Sequence, residues 1–295
     1  MTIEIDKSSR LCSEEDFLFL TVGYMSCCRF IGFLLFSSLL ASCASLSSSG
    51  VGRIRHYEIT DEKLPPEFDS TVIAFISDIH YPSKFTRKRL GKVVHRLRCI
   101  NPDIMLLGGD YVTSPVYMDE LFDSLSSVNV GVGIYAVLGN HERSNAALVD
   151  SVANKYGIYM LNDEAVAVAC GNSFIYLAGV RDSFKADSLT RSPSDCVSDD
   201  NFTLLLTHTP DYVQDVAAEA ALALAGHTHG GQVSLFGLYT PVKNTHYGTR
   251  FLKGLNYTDK GVPVITTTGV GTSRKKVRFC VPSEIIVVTL RNNVK

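Results

Sequence analysis

The sequence predicts an α/β domain built on two packed β-sheets, residues 51–295, behind a separate N-terminal segment, residues 1–50. Three observations predict it. Short β-rich runs alternate with helical periodicity in the first half of the domain and crowd together in the second, the pattern of sheets with helices laid on them. The composition is ordinarily globular, with 45% hydrophobic and 20% charged residues, which excludes a disordered chain, collagen and a polytopic membrane protein. No internal repeat and no Pro- or Gly-rich linker divides Arg53–Lys295, so one domain is expected there. Lys plus Arg number 28 against 30 for Asp plus Glu, without the basic excess of a protein held by nucleic-acid phosphates.

Residues 1–50 read as a signal or membrane-anchor segment followed by a tether. Phe30–Ala41 is an apolar run of twelve residues, short of the roughly 20 that a hydrocarbon core needs. It has the length of a signal-peptide hydrophobic region, with Arg29 as its positive flank. Leu40-Ala41-Ser42-Cys43 resembles the lipobox of bacterial lipoproteins, in which the cysteine is diacylated and becomes the mature N-terminus. On that reading Cys43 is the lipidation site, the protein is an exported lipoprotein, and Ser45–Ser49 is a flexible tether. Met25 lies four residues before Arg29, so a start there, in place of Met1, makes a compact signal. A competing reading joins Phe17–Ala41 into a single uncleaved N-terminal membrane helix, at the cost of a charge, Arg29, inside the bilayer. Both readings attach the chain to a membrane.

Within the domain, β-rich runs bounded by turn residues predict strands over Arg53–Thr60, Thr71–Ser77, Ile104–Gly108, Gly133–Val137, Phe174–Gly179, Phe202–Thr207, Ala221–Ala225, Val262–Thr267 and Glu284–Leu290. Helices are expected over Thr86–Ile100, Tyr117–Leu125, Asn145–Tyr156 and Pro210–Ala218; in the first, Leu90, Val93, Val94, Leu97 and Ile100 recur at helical spacing. The eight cysteines have neither the spacing of a disulfide scaffold nor that of a paired CxxC zinc site. Cys99, Cys170, Cys196 and Cys280, scattered along the domain, read as buried free thiols.

Five short segments carry the chemistry, each just after a predicted strand: Ser77-Asp78-Ile79-His80, Gly108-Gly109-Asp110, Gly139-Asn140-His141-Glu142, Thr207-His208 and Gly226-His227-Thr228-His229-Gly230. Ligands at strand ends can converge on one sheet edge, where α/β proteins place their sites. Asp78, Asp110 and Asn140 offer oxygen, and His80, His208, His227 and His229 offer imidazole nitrogen. These seven suffice for two divalent metals if a carboxylate bridges, and the mixed set suits Mn, Fe, Zn or Co better than Ca or Mg. No cysteine takes part, which disfavours a closed structural zinc site. Each piece alone is weak, since Gly-Asp is a common turn dipeptide and a lone histidine is usually not a ligand. Their order is the specific signal.

That order, DxH, GD, GNH, a lone His and GHxH, resembles the calcineurin-like metallophosphoesterases over about Tyr57 to Leu290. Gly226–Gln232, Leu206–Asp211 and Gly269–Arg278 are further similar to a membrane-associated branch that includes pyrophosphatases of UDP-2,3-diacylglucosamine in lipid A synthesis. The resemblance implies a four-layer αββα sandwich, two mixed β-sheets flanked by helices, with a dinuclear metal site at the strand ends. It implies that Asp78, His80, Asp110 and His229 hold one ion, that Asp110, Asn140, His208 and His227 hold the other, and that Asp110 bridges. His141 matches a histidine that is no ligand and stands beside the phosphoryl group. The activity implied is hydrolysis of a phosphate monoester, diester or pyrophosphate, with lipid-linked substrates among the candidates, by in-line attack of a metal-bound hydroxide. A diacylated Cys43 places the domain outside the cytoplasm, where UDP-linked lipid precursors are not expected, so the lipid A role stands as an alternative. An inactive metal-binding scaffold is a further alternative, opposed by the intact ligand set, and a peptidase fails for want of an HExxH motif or a nucleophile triad.

Three histidines fall outside the motifs. His95 reads as a surface residue of the first helix, His56 lies in the first strand, and His246, in a loop after GHxH, could reach a substrate. Lys84, Arg87, Lys88, Arg89, Lys92, Arg96 and Arg98 cluster on or beside the first helix, as a solvated face or, on a sharper reading, a patch for anionic lipid headgroups.

Overall fold

The computed structural model describes residues 52–82, 86–181, 183, 192–235, 237–273 and 277–293. The expectations for residues 1–50, Cys43 included, lie outside the described residues, as does Lys84. Among the described residues no helix is long and apolar enough to cross a membrane.

Twelve strands form two mixed sheets among the described residues. The first has the order β1 (Arg53–Asp61), β12 (Glu284–Asn292), β2 (Val72–Ile76), β3 (Ile104–Leu107), β4 (Gly133–Ala136), β5 (Ile158–Met160). The second runs β10 (Gly254–Tyr257), β11 (Pro263–Thr266), β9 (Leu222–Ala225), β8 (Thr203–Leu206), β7 (Ser173–Gly179), β6 (Glu164–Cys170). β2, β3, β4 and β5 are parallel, and so are β7, β8, β9 and β11. Central strands of this kind, covered on both faces, are continuous apolar runs such as Ile104-Met-Leu-Leu107, buried throughout.

Two faces of those strands feed two cores. Ile73, Phe75, Ile104 and Leu106 point between the sheets and meet Ile175, Leu177, Leu204, Leu206 and Leu224. Ala74, Ile76, Met105 and Leu107 point outward and meet α1 (Arg87–Ile100), α2 (Met118–Ser126) and α3 (Ala146–Lys155). α1 begins at Thr86, whose side chain accepts the Arg89 N–H, and ends at Asn101 in the left-handed region; it buries the stripe Leu90, Val93, Val94, Leu97. The outer face of the second sheet carries a thinner layer, the short α4 (Asp211–Asp215) with Tyr212 and Val213, helped by Ala218, Phe251 and Val262 from loops. The expected helix over Pro210–Ala218 is thus a single turn or so.

Three strands escaped the sequence reading, β5, β6 and β10, and each is the outermost strand of its sheet. Edge strands bury one side at most, and β6 reads Glu-Ala-Val-Ala-Val-Ala-Cys, rich in alanine and weak in β propensity. The four scattered cysteines are free, as expected, but none is buried: Cys99 and Cys196 are exposed, and Cys170 and Cys280 are half-buried. For Cys99 the reason is its place on the outer face of α1, where it stands one turn from His95, 3.8 Å away.

Candidate metal centre

Parallel strands deliver their C-terminal ends to one edge, and all five motif segments leave the sheets there. Asp78 and His80 follow β2, Asp110 follows β3, Asn140 and His141 follow β4, His208 follows β8, and His227 and His229 follow β9. The turns are tight enough that Asp78, His80, Asp110, His227 and His229 all hold positive φ, between 50° and 68°. Asp and His tolerate this region better than most residues, and such strain clusters at functional sites. Two glycines make the crowding possible: Gly109 holds φ 90° against the backbone of Gly139, and a Cβ on Gly139 would overlap the Asp110 carboxylate.

All eight predicted residues converge. His80 Nε2 lies 3.1 Å from His229 Nε2, and His229 Nε2 lies 3.4 Å from Asp78 Oδ1. His208 Nε2 lies 3.2 Å from Asn140 Oδ1. Asp110 sits between these groups, with Oδ2 3.6 Å from His80 Nε2 and Oδ1 3.5 Å from His208 Nε2. His227 stands on the cavity wall with its ring 5.1 Å from that of His208. His141 is half-exposed, edge-on to His80, with Nε2 3.8 Å from Asp110 Oδ2.

Whether this cluster suits cations can be tested on its own atoms. Asp78 Oδ1 is fully buried and has no hydrogen-bond partner, an arrangement that costs free energy unless a positive group faces it. The His80 and His229 nitrogens that face each other need a cation or proton between them. His208 Nδ1 donates to the Gly108 carbonyl at 2.6 Å, which turns Nε2 toward the cluster. Asp–His–Asn donor chemistry with one carboxylate facing both groups fits a pair of divalent ions.

The electrostatics follow from burial and crowding. Burial and then the charge of His208 push His227 down to about 3. Burial and then Arg278 hold His229 well below the usual imidazole range, so both rings are neutral and their lone pairs available. His208 is the opposite case: burial disfavours its charge, but Asp110 outweighs that and raises it to about 10. Burial likewise opposes ionisation of Asp110, yet His208, His80 and His141 hold it well below the carboxylate range. Asp78, with burial as the main cause, is raised to about 6.

Three supporting residues were not assigned roles from sequence. Ser77 Oγ donates to Asp78 Oδ2 at 2.7 Å. Glu142, buried, accepts the backbone N–H groups of Asp110, Tyr111 and Gly139 at 2.9, 2.9 and 3.0 Å, tying the loop after β3 to the loop after β4. Arg278, fully buried, donates to the carbonyls of Thr268 and Gly271 at 2.5 and 2.7 Å and touches His229 Nδ1 at 3.4 Å, so it shapes the loop that closes over Asp78. Glu142 and Arg278 each end a motif, but the contacts that tie them to the site, Glu142 to the loop of Asp110 and Arg278 to His229, span 31 to 49 residues and leave no local pattern.

A cavity of about 900 Å³ opens on the cluster, lined by Asp110, Asn140, His141, His227 and His229 and, beyond them, by Asp211, Lys243 and His246. His246 therefore reaches the cavity, whereas His56 and His95 are exposed elsewhere. The basic cluster on α1 divides between residues bonded into the fold and residues at the surface. Arg89 donates to the Val270 carbonyl and Arg96 to that of Gly52, while Arg87, paired with Glu120, and Arg98, donating to Ser127, stay exposed along with Lys88 and Lys92.

Two sets of donors sharing a buried aspartate at the edge of a double sheet define a dinuclear metallohydrolase. The family model for calcineurin-like phosphoesterases matches residues 71–231, and the chain belongs to that family. It is accordingly a metal-dependent phosphoester hydrolase whose site is arranged for two divalent metals. Among its relatives, the uncharacterized metallophosphoesterase YkuE of Bacillus subtilis is 27% identical, over 86% of this chain and 94% of the relative. Phosphodiesterase YaeI of Escherichia coli is 30% identical, over 79% of this chain and 90% of the relative. A transmembrane protein with metallophosphoesterase domain from Danio rerio is 24% identical over 88% of this chain, which spans 62% of that relative.

Proposed function

We propose that this chain is a membrane-tethered two-metal phosphoesterase that cleaves a phosphodiester or pyrophosphate, with Asp78, His80, Asp110 and His229 holding one ion and Asp110, Asn140, His208 and His227 the other. The observation that carries the reading is the placement of Asp110, one carboxylate oxygen toward His80 and the other toward His208. Two divalent ions, with manganese, iron, zinc or cobalt suited to the donor set, supply Lewis acidity that acidifies a water and neutralises charge on the phosphoryl oxygens. The chain's own residues do the rest. Asp110 holds the two donor sets at a fixed separation, Glu142 holds Asp110 through its N–H, and Ser77 orients Asp78. His141, at the cavity mouth, donates a proton to the leaving oxygen or a hydrogen bond to the phosphoryl group. The cavity extends past the donors on the side of Lys243 and His246, room for a group on each side of phosphorus, and the diesterase name of the E. coli relative supports the same choice. Membrane attachment through residues 30–43, by lipidation of Cys43, is supported by the apolar run and the lipobox-like ending.

The test uses the full chain, stripped of metal and reloaded with manganese, on bis(nitrophenyl) phosphate, nitrophenyl phosphate and UDP-diacylglucosamine. Two metals per chain and turnover of the diester are expected. Asp110→Asn should lower occupancy at both positions and abolish nearly all turnover, while His208→Ala should empty mainly one. An Asp110→Asn protein with two metals and normal turnover refutes the assignment, and preference for UDP-diacylglucosamine would select the pyrophosphatase alternative.

A further inference from the structure

The loop that follows the last metal motif carries an apolar surface in the wrong place for a domain surrounded by water. Thr240 and the Val242 carbonyl press on Gly231, at the end of the Gly226–Gly231 motif, so the loop is rooted on the metal site. From there it projects as a tight hairpin. Leu235 N–H donates to the Tyr239 carbonyl at 2.8 Å, Leu238 N–H to the Leu235 carbonyl at 2.9 Å, and Gly237 takes φ 80° at the tip. Beside it lies the segment of Phe279, which accepts from Ser234 N–H at 2.9 Å. Leu238 is 91% exposed, Tyr239 61%, Leu235 47%, Val242 45%, and Val277, two residues before Phe279, 49%. Single exposed apolar residues are ordinary, but five on two adjoining segments mark a surface that meets something apolar.

What meets it follows from where the chain enters the domain. β1 is parallel to β12, and β12 is antiparallel to β2, so the start of β1 lies at the edge where β2 ends. Arg53 N–H donates to Ser283 at 2.8 Å, and Glu284 N–H donates to Gly269, the residue packed on Asp78. The first described residues, Gly52 and Arg53, therefore lie on the metal-site edge. Eight residues separate Cys43 from Gly52, a reach of at most about 30 Å when fully extended. A bilayer holding residues 30–43 is thus on a short lead from the same edge that carries the apolar hairpin. Leu at a turn tip with Tyr next to it is the composition of a segment that dips into the headgroup region, the leucine in the acyl boundary and the phenol at the interface.

We infer that Leu235, Leu238, Tyr239 and Val242, with Val277, insert into the membrane interface and turn the metal cavity toward a phosphoester carried by a lipid at that surface. This rests on the reading of residues 30–43 as the membrane attachment. The chain contains no tryptophan, so Leu238→Trp introduces a lone reporter, and Phe174→Trp, at the start of β7 on the far edge, serves as its control. Each full-length variant is mixed with phosphatidylethanolamine–phosphatidylglycerol vesicles, with and without brominated acyl chains. Flotation reads attachment, and emission reads insertion. The expected result is co-flotation of both variants, with the emission of Leu238→Trp shifted to the blue and quenched by brominated lipid, and that of Phe174→Trp unchanged. A chain that floats while the Leu238→Trp emission stays unshifted and unquenched is attached with its hairpin in water, which overturns this inference alone. A chain that fails to float overturns both the attachment and the insertion. Neither readout depends on turnover, so loss of the phosphoesterase reading would be seen separately, as absence of activity in the wild type.

Discussion

His141 and Asn140 leave the same turn in different directions. Asn140 reaches inward to His208, while His141 stays half-exposed at the cavity mouth. If His141 protonates the leaving oxygen, its worth depends on the leaving group. His141→Ala should keep both metals and lose about 10²–10⁴ in rate on alkyl esters, the usual size of general acid catalysis, with a much smaller loss on nitrophenyl esters. Equal losses on the two would assign it to the phosphoryl oxygens instead, and loss of metal would make it a ligand. His208 carries a second prediction. Without metal its pKa is raised from 6.5 to about 10, chiefly by Asp110 acting against burial. The charged pair therefore stabilises the metal-free fold in full below pH 6.5 and loses that contribution as pH rises through about 10. At neutral pH a metal must displace that proton, so binding should release about one proton per chain from this site and tighten as pH rises. Calorimetric metal titration in buffers of different ionisation enthalpy measures the release, and none at pH 7 would contradict the His208–Asp110 pairing. The convergence of these residues was legible in sequence because each donor sits in a short turn after an apolar strand. Glu142 and Arg278 had no role there, since the contacts that tie them to Asp110 and His229 are set by the fold.

At the scale of elements, the loops after β3 and β4 are tied together by Glu142 as well as by the His141 N–H, which donates to Asp110 Oδ1 at 3.0 Å. The Glu142 carboxylate takes three buried N–H groups, so Glu142→Ala strands three donors, at about 1–3 kcal/mol for each that finds no water. Glu142→Ala should lose about 3 kcal/mol or more of stability in denaturant unfolding and bind metal more weakly, with Glu142→Gln intermediate. A wild-type midpoint with full metal content would show that the loops stand without it. The helices were legible to within a residue or two wherever an apolar stripe met a cap, as in α1 between Thr86 and Asn101. α4 was overread because Ala217, at positive φ, and Ala218 turn away after Val216, although their side chains favour helix. β5, β6 and β10 were missed because an edge strand owes its pairing to a neighbour rather than to its own pattern.

For the whole molecule, the attachment reading predicts that Cys43→Ser abolishes labelling by fatty-acid analogues and leaves the precursor uncleaved, as read by mass spectrometry of the mature N-terminus. Membrane association that persists when the wild type also takes no label would favour the uncleaved helix. By itself the sequence determined the α/β class, the apolar runs of the central strands and the eight residues that converge. These are local properties: burial writes a periodicity into each segment, and ligands must sit on short turns at strand ends. Only the tertiary structure decided which strands neighbour which, that Glu142 and Arg278 brace the ligand loops, that the cysteines and most of the α1 charges have ordinary surroundings, and that Gly52 and Arg53 lie on the metal-site edge. Those depend on pairing and packing between residues far apart in sequence, and a pattern read along the chain holds no record of which distant segment it meets.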